Sequence, residues 1–336
     1  MPYITVYEQL PSLRTALPFE LNSYLTSFMQ FIMRPSTMIQ GLMFSASVYA
    51  VEPAAIYNGG FNSTDTIALR IGNGGAGQSG LIEVLANAFI KSSVKNGTDP
   101  FEIAWYKSDT TQSINYLKDN TVDIGITYTP AAEQIAIKNG IAKSPAWYTF
   151  RDHFLLIGPP SNPANLSKTQ DIQTQFSNLY TTAEAGTTNP PVHFLSRYDK
   201  SATNIKESQL WIEIGQVPWA TAYSTWYHQY IAYPIQALTA AILLDEYTIT
   251  DRGTYLSIPT ELQSKTVIYK AASDDAEDPL LNPAHILIGV GARNEEMADR
   301  FARWAIGDEG QGVITGFKKN GQQLYTAAPA NKTASF

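Results

Sequence analysis

Two polar loops carry the residue types that could do chemistry. The first, Gly72-Asn73-Gly74-Gly75-Ala76-Gly77-Gln78-Ser79-Gly80, follows a short β-rich run at 66–71 and precedes Leu81, Val84, Leu85, Ala88 and Phe89 at helical spacing. Clustered glycines expose successive backbone N–H groups in a concave nest, and the following helix adds the positive end of its dipole, about half a unit charge. Such a loop suits a small anion. The plainer alternative is a tight turn that uses glycine only for positive φ. The second loop, Ser196-Arg197-Tyr198-Asp199-Lys200-Ser201-Ala202-Thr203-Asn204, again lies between a strand (193–195) and a helix (201–211). Arg197 could offer a fork of donors to a tetrahedral oxyanion, with Ser201 or Thr203 donating a hydroxyl or capping the helix. The alternative is an Arg197–Asp199 pair on the surface, with Ser201 as an N-cap only.

Other chemistries lack their residues. Gly72 to Gly77 matches G-x-G-x-x-G, but the acidic residue that should end the second strand and hold a ribose is missing: Asp99 precedes that strand and Asp109 lies too far on. The chain has no cysteine, and His153, His193, His228 and His285 are scattered, so no cofactor and no resident metal is expected. No Ser-His-Asp grouping can be assembled from the spacings, which argues against an enzyme. Asp123, opening a buried strand, reads as a structural hydrogen-bonding position, and Asp251-Arg252 as an internal salt bridge or cap. The acidic stretch 274–278 lacks regular calcium-ligand spacing and reads as a solvated turn.

The elements that must position these loops follow from composition and periodicity. With 336 residues, 44% hydrophobic and 16% charged, the chain has material for a large core and two domains or lobes. Its formal charge of -7 argues against a nucleic-acid partner. Strands at 66–71, 101–106, 122–127 and 154–158 alternate with helices, one opened by Thr129-Pro130 and closed by Gly140, which implies a mostly parallel α/β sheet. Pro159 to Pro163 breaks the pattern and is the candidate crossover to a second α/β stretch. Late strands at 266–269 and 286–290 and a helix from 294 to 306, stopped by Gly307, return to the first sheet. The expected division is 66–157 and 263–328 for the first lobe and 158–262 for the second.

No apolar run is long enough to span a membrane. Residues 33–50 read as a secretory signal with cleavage after Ala50 and a possible start at Met33, an amphipathic helix being the alternative. Asn-X-Ser/Thr triplets at Asn62, Asn96, Asn165 and Asn331 fit a glycosylated, secreted protein.

Seven ordered blocks, LRIGNGGAGQSGLIEVLANAF, VDIGITYTPAAE, FLLIGPP, FLSRYDKSATNIKESQLW, YTITDRGTYL, LLNPAHILIGV and RWAIGDEGQGVITGF, cover most of the chain from Leu69 to Tyr325. They resemble the tungstate-binding substrate-binding proteins of bacterial importers, and more closely their secreted fungal relatives. The resemblance implies the type II periplasmic-binding-protein fold, two α/β lobes joined by a hinge and closing on one ligand. By position it implies ligand contacts from Asn73, Gly74, Gly75, Ser79 and Gly80, from Tyr128-Thr129 in place of the bacterial His-Asp of a His-Asp-Pro turn, and from Arg197, Ser201 and Thr203. The bacterial threonine- and serine-rich stretch is Asn73-Gly74-Gly75 here. The S-R-G-D-x-S-G-T-H block keeps Arg197 and Ser201 while Tyr198 and Ala202 replace its glycines and Asn204 its histidine. These departures leave the choice among oxyanions open.

The expectation is therefore a secreted, monomeric solute-binding protein for a small oxyanion, tungstate or molybdate first, with no catalytic step and an unspecified receiving partner. Two alternatives stand beside it: a binding-fold scaffold or interaction protein that has lost the anion, and an enzyme on the same fold.

Overall fold

The computed structural model describes residues 51–62 and 66–330; the signal-like segment and Asn331 lie outside them. The strands are β1 (Ala55–Tyr57), β2 (Ile67–Asn73), β3 (Glu102–Lys107), β4 (Ile124–Thr127), β5 (Trp147–Gly158), β6 (Phe194–Ser196), β7 (Tyr227–Gln229), β8 (Thr248–Asp251), β9 (Val267–Ala271), β10 (Leu281–Ile288) and the short β11 (Lys318–Lys319), β12 (Gln322–Gln323) and β13 (Thr326–Ala327). The early strands are near-continuous apolar runs, as sheets covered on both faces require. The main sheet runs β1-β3-β2-β4-β10-β5-β13, with β2 parallel to β3 and β4 and the intervening helices as crossovers; its other pairs are antiparallel, so the sheet is mixed and not mostly parallel as expected, because β1, β10 and β13 run against the other strands.

One strand builds both halves of the molecule. The first part of β5 pairs with β10 in the register Leu281↔His153 to Ile286↔Trp147, and its last residues pair with β8 and β9, beginning at Phe154↔Asp251 and Leu155↔Ala271. Phe150 packs in a core with Leu69, Phe89, Ile286 and Phe301, whereas Phe154 packs in a second core with Phe176, Phe194, Trp211 and Tyr247. The chain thus moves between cores within β5, ahead of the expected crossover at 159–163, and the strand expected to return at 266–269 instead pairs with the second half of β5, with Tyr269 in the second core. The run 154–158 expected as a strand is the second half of this longer one. Arg151, Asp152 and His153 interrupt the apolar pattern and hide the first half, yet Asp152 and His153 are buried because Asn282 Nδ2 donates to Asp152 at 3.0 Å and His153 Nε2 lies 2.8 Å from Asp274.

Helix ends follow their caps. The helix Glu295–Ile306 starts at Asn294, whose Oδ1 accepts from Met297 N–H at 3.1 Å, and it stops at Gly307; Met297, Phe301 and Ala305 are its buried face. Pro130–Lys138 begins after Thr129 as expected, but the Thr129 hydroxyl does not cap it. Glu133, buried on its first turn, instead accepts from the Thr129 N–H at 3.1 Å and the Thr127 hydroxyl at 2.7 Å. Asp123 is structural: its oxygens accept the N–H groups of Arg70 at 2.8 Å and Arg293 at 2.7 Å. Among the described residues no helix is long and apolar enough to cross a membrane, and Asn62, Asn96 and Asn165 are exposed.

Candidate functional site

A cavity of about 40 Å³ lies where the carboxyl ends of strands from both halves meet. It is bordered by Gly74-Gly75 after β2, Ser108-Asp109-Thr110 after β3 and Tyr128 after β4, and on the other side by Ser201-Ala202-Thr203 after β6, Tyr233-Pro234 after β7 and Asp251 at the end of β8. Carboxyl ends of parallel strands are where α/β sheets leave a crevice, because each strand there hands over to a helix. By the same measure a single water needs only ~10–15 Å³, so the space admits a ligand of a few heavy atoms.

Five helices present their N-termini to this space: Gly75–Ser79, Thr110–Lys118, Ala202–Glu213, Pro234–Leu243 and Arg252–Ser257. In the three longer ones, Thr110–Lys118, Ala202–Glu213 and Pro234–Leu243, the positive end of the helix dipole lies at the cavity. Arg197 adds a guanidinium, 6% exposed. Its Nε donates to the Ala232 carbonyl at 3.2 Å, one terminal nitrogen to the Thr203 hydroxyl at 3.3 Å, and the other to Asp199. The Arg197–Asp199 pair and the Ser201 cap of the plainer alternative are both present, Ser201 Oγ accepting from Asn204 N–H at 3.3 Å, but the pair is buried at the cavity and not on the surface.

Three further carboxylates face the same space. Asp109 and Asp251 are N-caps, accepting from Gln112 N–H at 2.7 Å and from Thr254 N–H at 2.7 Å, so each partly neutralises its own helix terminus. Burial raises the Asp109 carboxyl, and Asp199 adds to the shift against the pull of Arg197. Asp152 has no helix behind it; burial first and then the neighbouring Asp251 push its carboxyl well above the usual range. Two buried side-chain atoms on the wall lack hydrogen-bond partners, the Thr110 hydroxyl and Asn282 Oδ1. Orphaned buried polar atoms beside a cavity are what a bound ligand would satisfy. At the rim, Lys107 Nζ sits 3.7 Å from the Tyr233 ring centroid and the Thr111 hydroxyl donates to the Lys200 carbonyl at 3.0 Å, joining the two halves.

Of the residues proposed from sequence, Gly74, Gly75, Tyr128, Arg197, Ser201 and Thr203 border the cavity. Asn73 is buried beside it; its amide donates to the Ile126 carbonyl at 2.8 Å and its oxygen accepts from Gly77 N–H at 2.7 Å. Ser79 is hydrogen-bonded to Ala76 and Tyr325, Gly80 turns the chain at φ 95 between two helices, and Thr129 faces a separate, wider groove. The glycine loop is itself helical from Gly75, ahead of the apolar repeat that begins at Leu81. Its glycines serve packing: a Cβ on Gly74 would come within 2.6 Å of the Ser108 carbonyl oxygen, and one on Gly77 within 2.2 Å of the Trp105 ring. The polar residues Ser108, Asp109, Thr110, Asp152, Asp251, Asn282 and Tyr233 were not found by sequence reasoning. Asp109 and Asp251 carried one usable signal, an acid placed where a strand gives way to a helix.

Known proteins agree with this architecture. The family described as a PBP superfamily domain matches residues 61–309. The tungstate-binding protein TupA of Peptoclostridium acidaminophilum is 27% identical over 256 residues, covering 74% of this chain and 81% of that protein. A solved structure described, provisionally, as a periplasmic metal-binding protein is 66% identical, covers 82% of this chain and 99% of its own, and superposes with a TM-score of 0.76. The structure of the tungstate-binding protein TupA from Desulfovibrio alaskensis G20, 22% identical with a TM-score of 0.63 over 79% of this chain and 100% of that one, shares the fold.

Proposed function

This chain belongs to the PBP superfamily, and we propose that it is a secreted solute-binding protein that captures a small tetrahedral oxyanion between its two lobes. The observation that carries this reading is the meeting of the N-termini of Thr110–Lys118, Ala202–Glu213 and Pro234–Leu243 with the Arg197 guanidinium at one small cavity. Fixed N–H dipoles replace the hydration shell of an anion without reorganising, which suits capture and release and needs no bond to be made or broken. Tungstate and molybdate are the first candidates, because curated relatives at 25 to 27% identity are named for tungstate. Secretion fits the exposed sequon asparagines Asn62, Asn96 and Asn165 and belongs to the same proposal, as do a monomeric state and a place among secreted fungal members of the family.

A second reading has its own observation. Asp109, Asp152 and Asp251 on the wall, with Arg197 already paired, would suit a cation, and the 66% identical relative is provisionally described as metal-binding. Against it, among the described residues no group of three or more His, Cys, Asp or Glu side chains is arranged to hold a metal ion.

Thermal unfolding with tungstate, molybdate, sulfate, phosphate, calcium and magnesium separates the readings. A specific ligand at a hundredfold over its Kd adds about 2.7 kcal/mol of stability. A shift with tungstate or molybdate and none with the cations is the expected result. Stabilisation by cations alone removes the oxyanion reading, and no shift with any of them leaves a scaffold without cargo.

A further inference from the structure

The cavity wall mixes donors and acceptors. The Arg197 guanidinium and the unpartnered Thr110 hydroxyl are donors. Beside them stand buried acceptors contributed by β5, β8 and β10. Asp152, 4% exposed, accepts from His153 N–H at 2.8 Å and from Asn282 Nδ2 at 3.0 Å. By donating there, Asn282 is left with a buried Oδ1 that has no donor. Asp251, 5% exposed, accepts from Thr254 through both oxygens. An anion in this space meets the Asp152 carboxyl and the Asn282 Oδ1, and two acceptor oxygens attract only with a proton between them.

We propose that the site binds its oxyanion together with one proton, shared between a ligand oxygen and the Asp152 carboxyl, so that capture is coupled to proton uptake. The inference rests on the oxyanion reading above and specifies the state of the anion held. The balance is simple: a ligand oxyanion, a proton and the Asp152 carboxylate give one O–H···O contact, and no other bond changes. With an anion that is protonated near neutrality, such as phosphate, the proton arrives on the ligand. With a fully ionised one, such as tungstate, it arrives on Asp152.

The surroundings of Asp152 favour holding a proton there. Asp251 at the end of β8 repels a second negative charge, and the hydroxyls of Tyr128 and Tyr325 lie in the same buried cluster, their own ionisation opposed by burial and by Asp152. His153, next in the chain, gives its N–H to the carboxyl while its ring is held toward Asp274. The His153 N–H, the Asn282 amide and, least, Arg252 pull the other way by favouring the ionised carboxyl. Burial is the largest, and it favours the neutral acid.

Calorimetry of the full chain with tungstate and with phosphate, from about pH 5.5 to about pH 9 in buffers of different ionisation enthalpy, tests this directly. Tungstate affinity should fall about tenfold per pH unit once Asp152 ionises in the free protein, with about one proton taken up per anion there; phosphate should take up fewer at the same pH. Asp152→Asn keeps a donor and should bind tungstate with no proton uptake and a flat pH profile. Should that variant not fold, Asp251→Asn serves, and it should move the break in the tungstate profile to lower pH. Tungstate affinity that is measurable but constant across the range, with no protons exchanged, overturns proton coupling while leaving oxyanion capture standing. Absence of binding by both anions at every pH removes both.

Discussion

The two strand–loop–helix segments that face each other across the cavity use opposite means to the same end. The Gly72-to-Gly80 segment brings its backbone close: Gly74 and Gly77 lie against the Ser108 carbonyl and the Trp105 ring, and Asn73 secures the turn from behind. The Arg197-to-Asn204 segment brings side chains, bending through left-handed backbone at Tyr198 (φ 46) and Lys200 (φ 64) so that Arg197 and Thr203 meet at the cavity. Tyr198 holds this left-handed backbone without the glycine that would make it easy. One side is therefore limited by space and the other by strain and charge. An anion site in a chain of net charge -7 needs only this local arrangement and no basic surface.

That contrast can be broken most severely at Arg197. Arg197→Ala removes the full positive charge and strands Asp199, and truncating one partner of a buried charged contact typically costs ~2–5 kcal/mol. Calorimetry should show tungstate affinity at least tenfold weaker, and an unchanged Kd would take the guanidinium out of the site. Next in size is Gly77→Ala, whose methyl would overlap the Trp105 ring; overpacking of this kind costs about 1–3 kcal/mol, read as a lower denaturant midpoint. A smaller effect of opposite sign is expected from Tyr198→Gly, which relieves a left-handed non-glycine residue and should gain about 1 kcal/mol. Smallest is Gly75→Ala, at a helical position where the new methyl meets only Asp251 Oδ2 at 3.8 Å. It should stabilise by about 0.4–1 kcal/mol through the unfolded chain. Equal losses from Gly75→Ala and Gly77→Ala in thermal melts would show that the glycines act as a set and not one by one.

Local patterns carried much of the architecture. The helix 295–306 was legible because its cap, its apolar spacing and its terminal glycine agree. The Arg197 loop was legible because a strand, a polar turn and a capping serine follow in sequence. The first half of β5 was not, since its three consecutive polar residues read as surface until Asp274 and Asn282 supply their partners. The glycine loop was half legible. Its place between a strand and a helix was apparent, but the reason for glycine at Gly77 lies in Trp105 on a neighbouring strand.

The amino-acid sequence alone determined that the chain alternates strands and helices, that two polar turns precede helices, and that one arginine stands in the second of them. Those properties depend on residues close together in the chain, where spacing and backbone preference are enough. Only the tertiary structure decided what faces Arg197. Asp109, Asp152, Asp251 and Asn282 come from four separate elements and meet because β5 pairs with β10 on one half and β8 on the other. Burial then changes their chemistry, since a carboxyl removed from water beside another carboxyl holds its proton more tightly, and that depends on neighbours that no local pattern specifies.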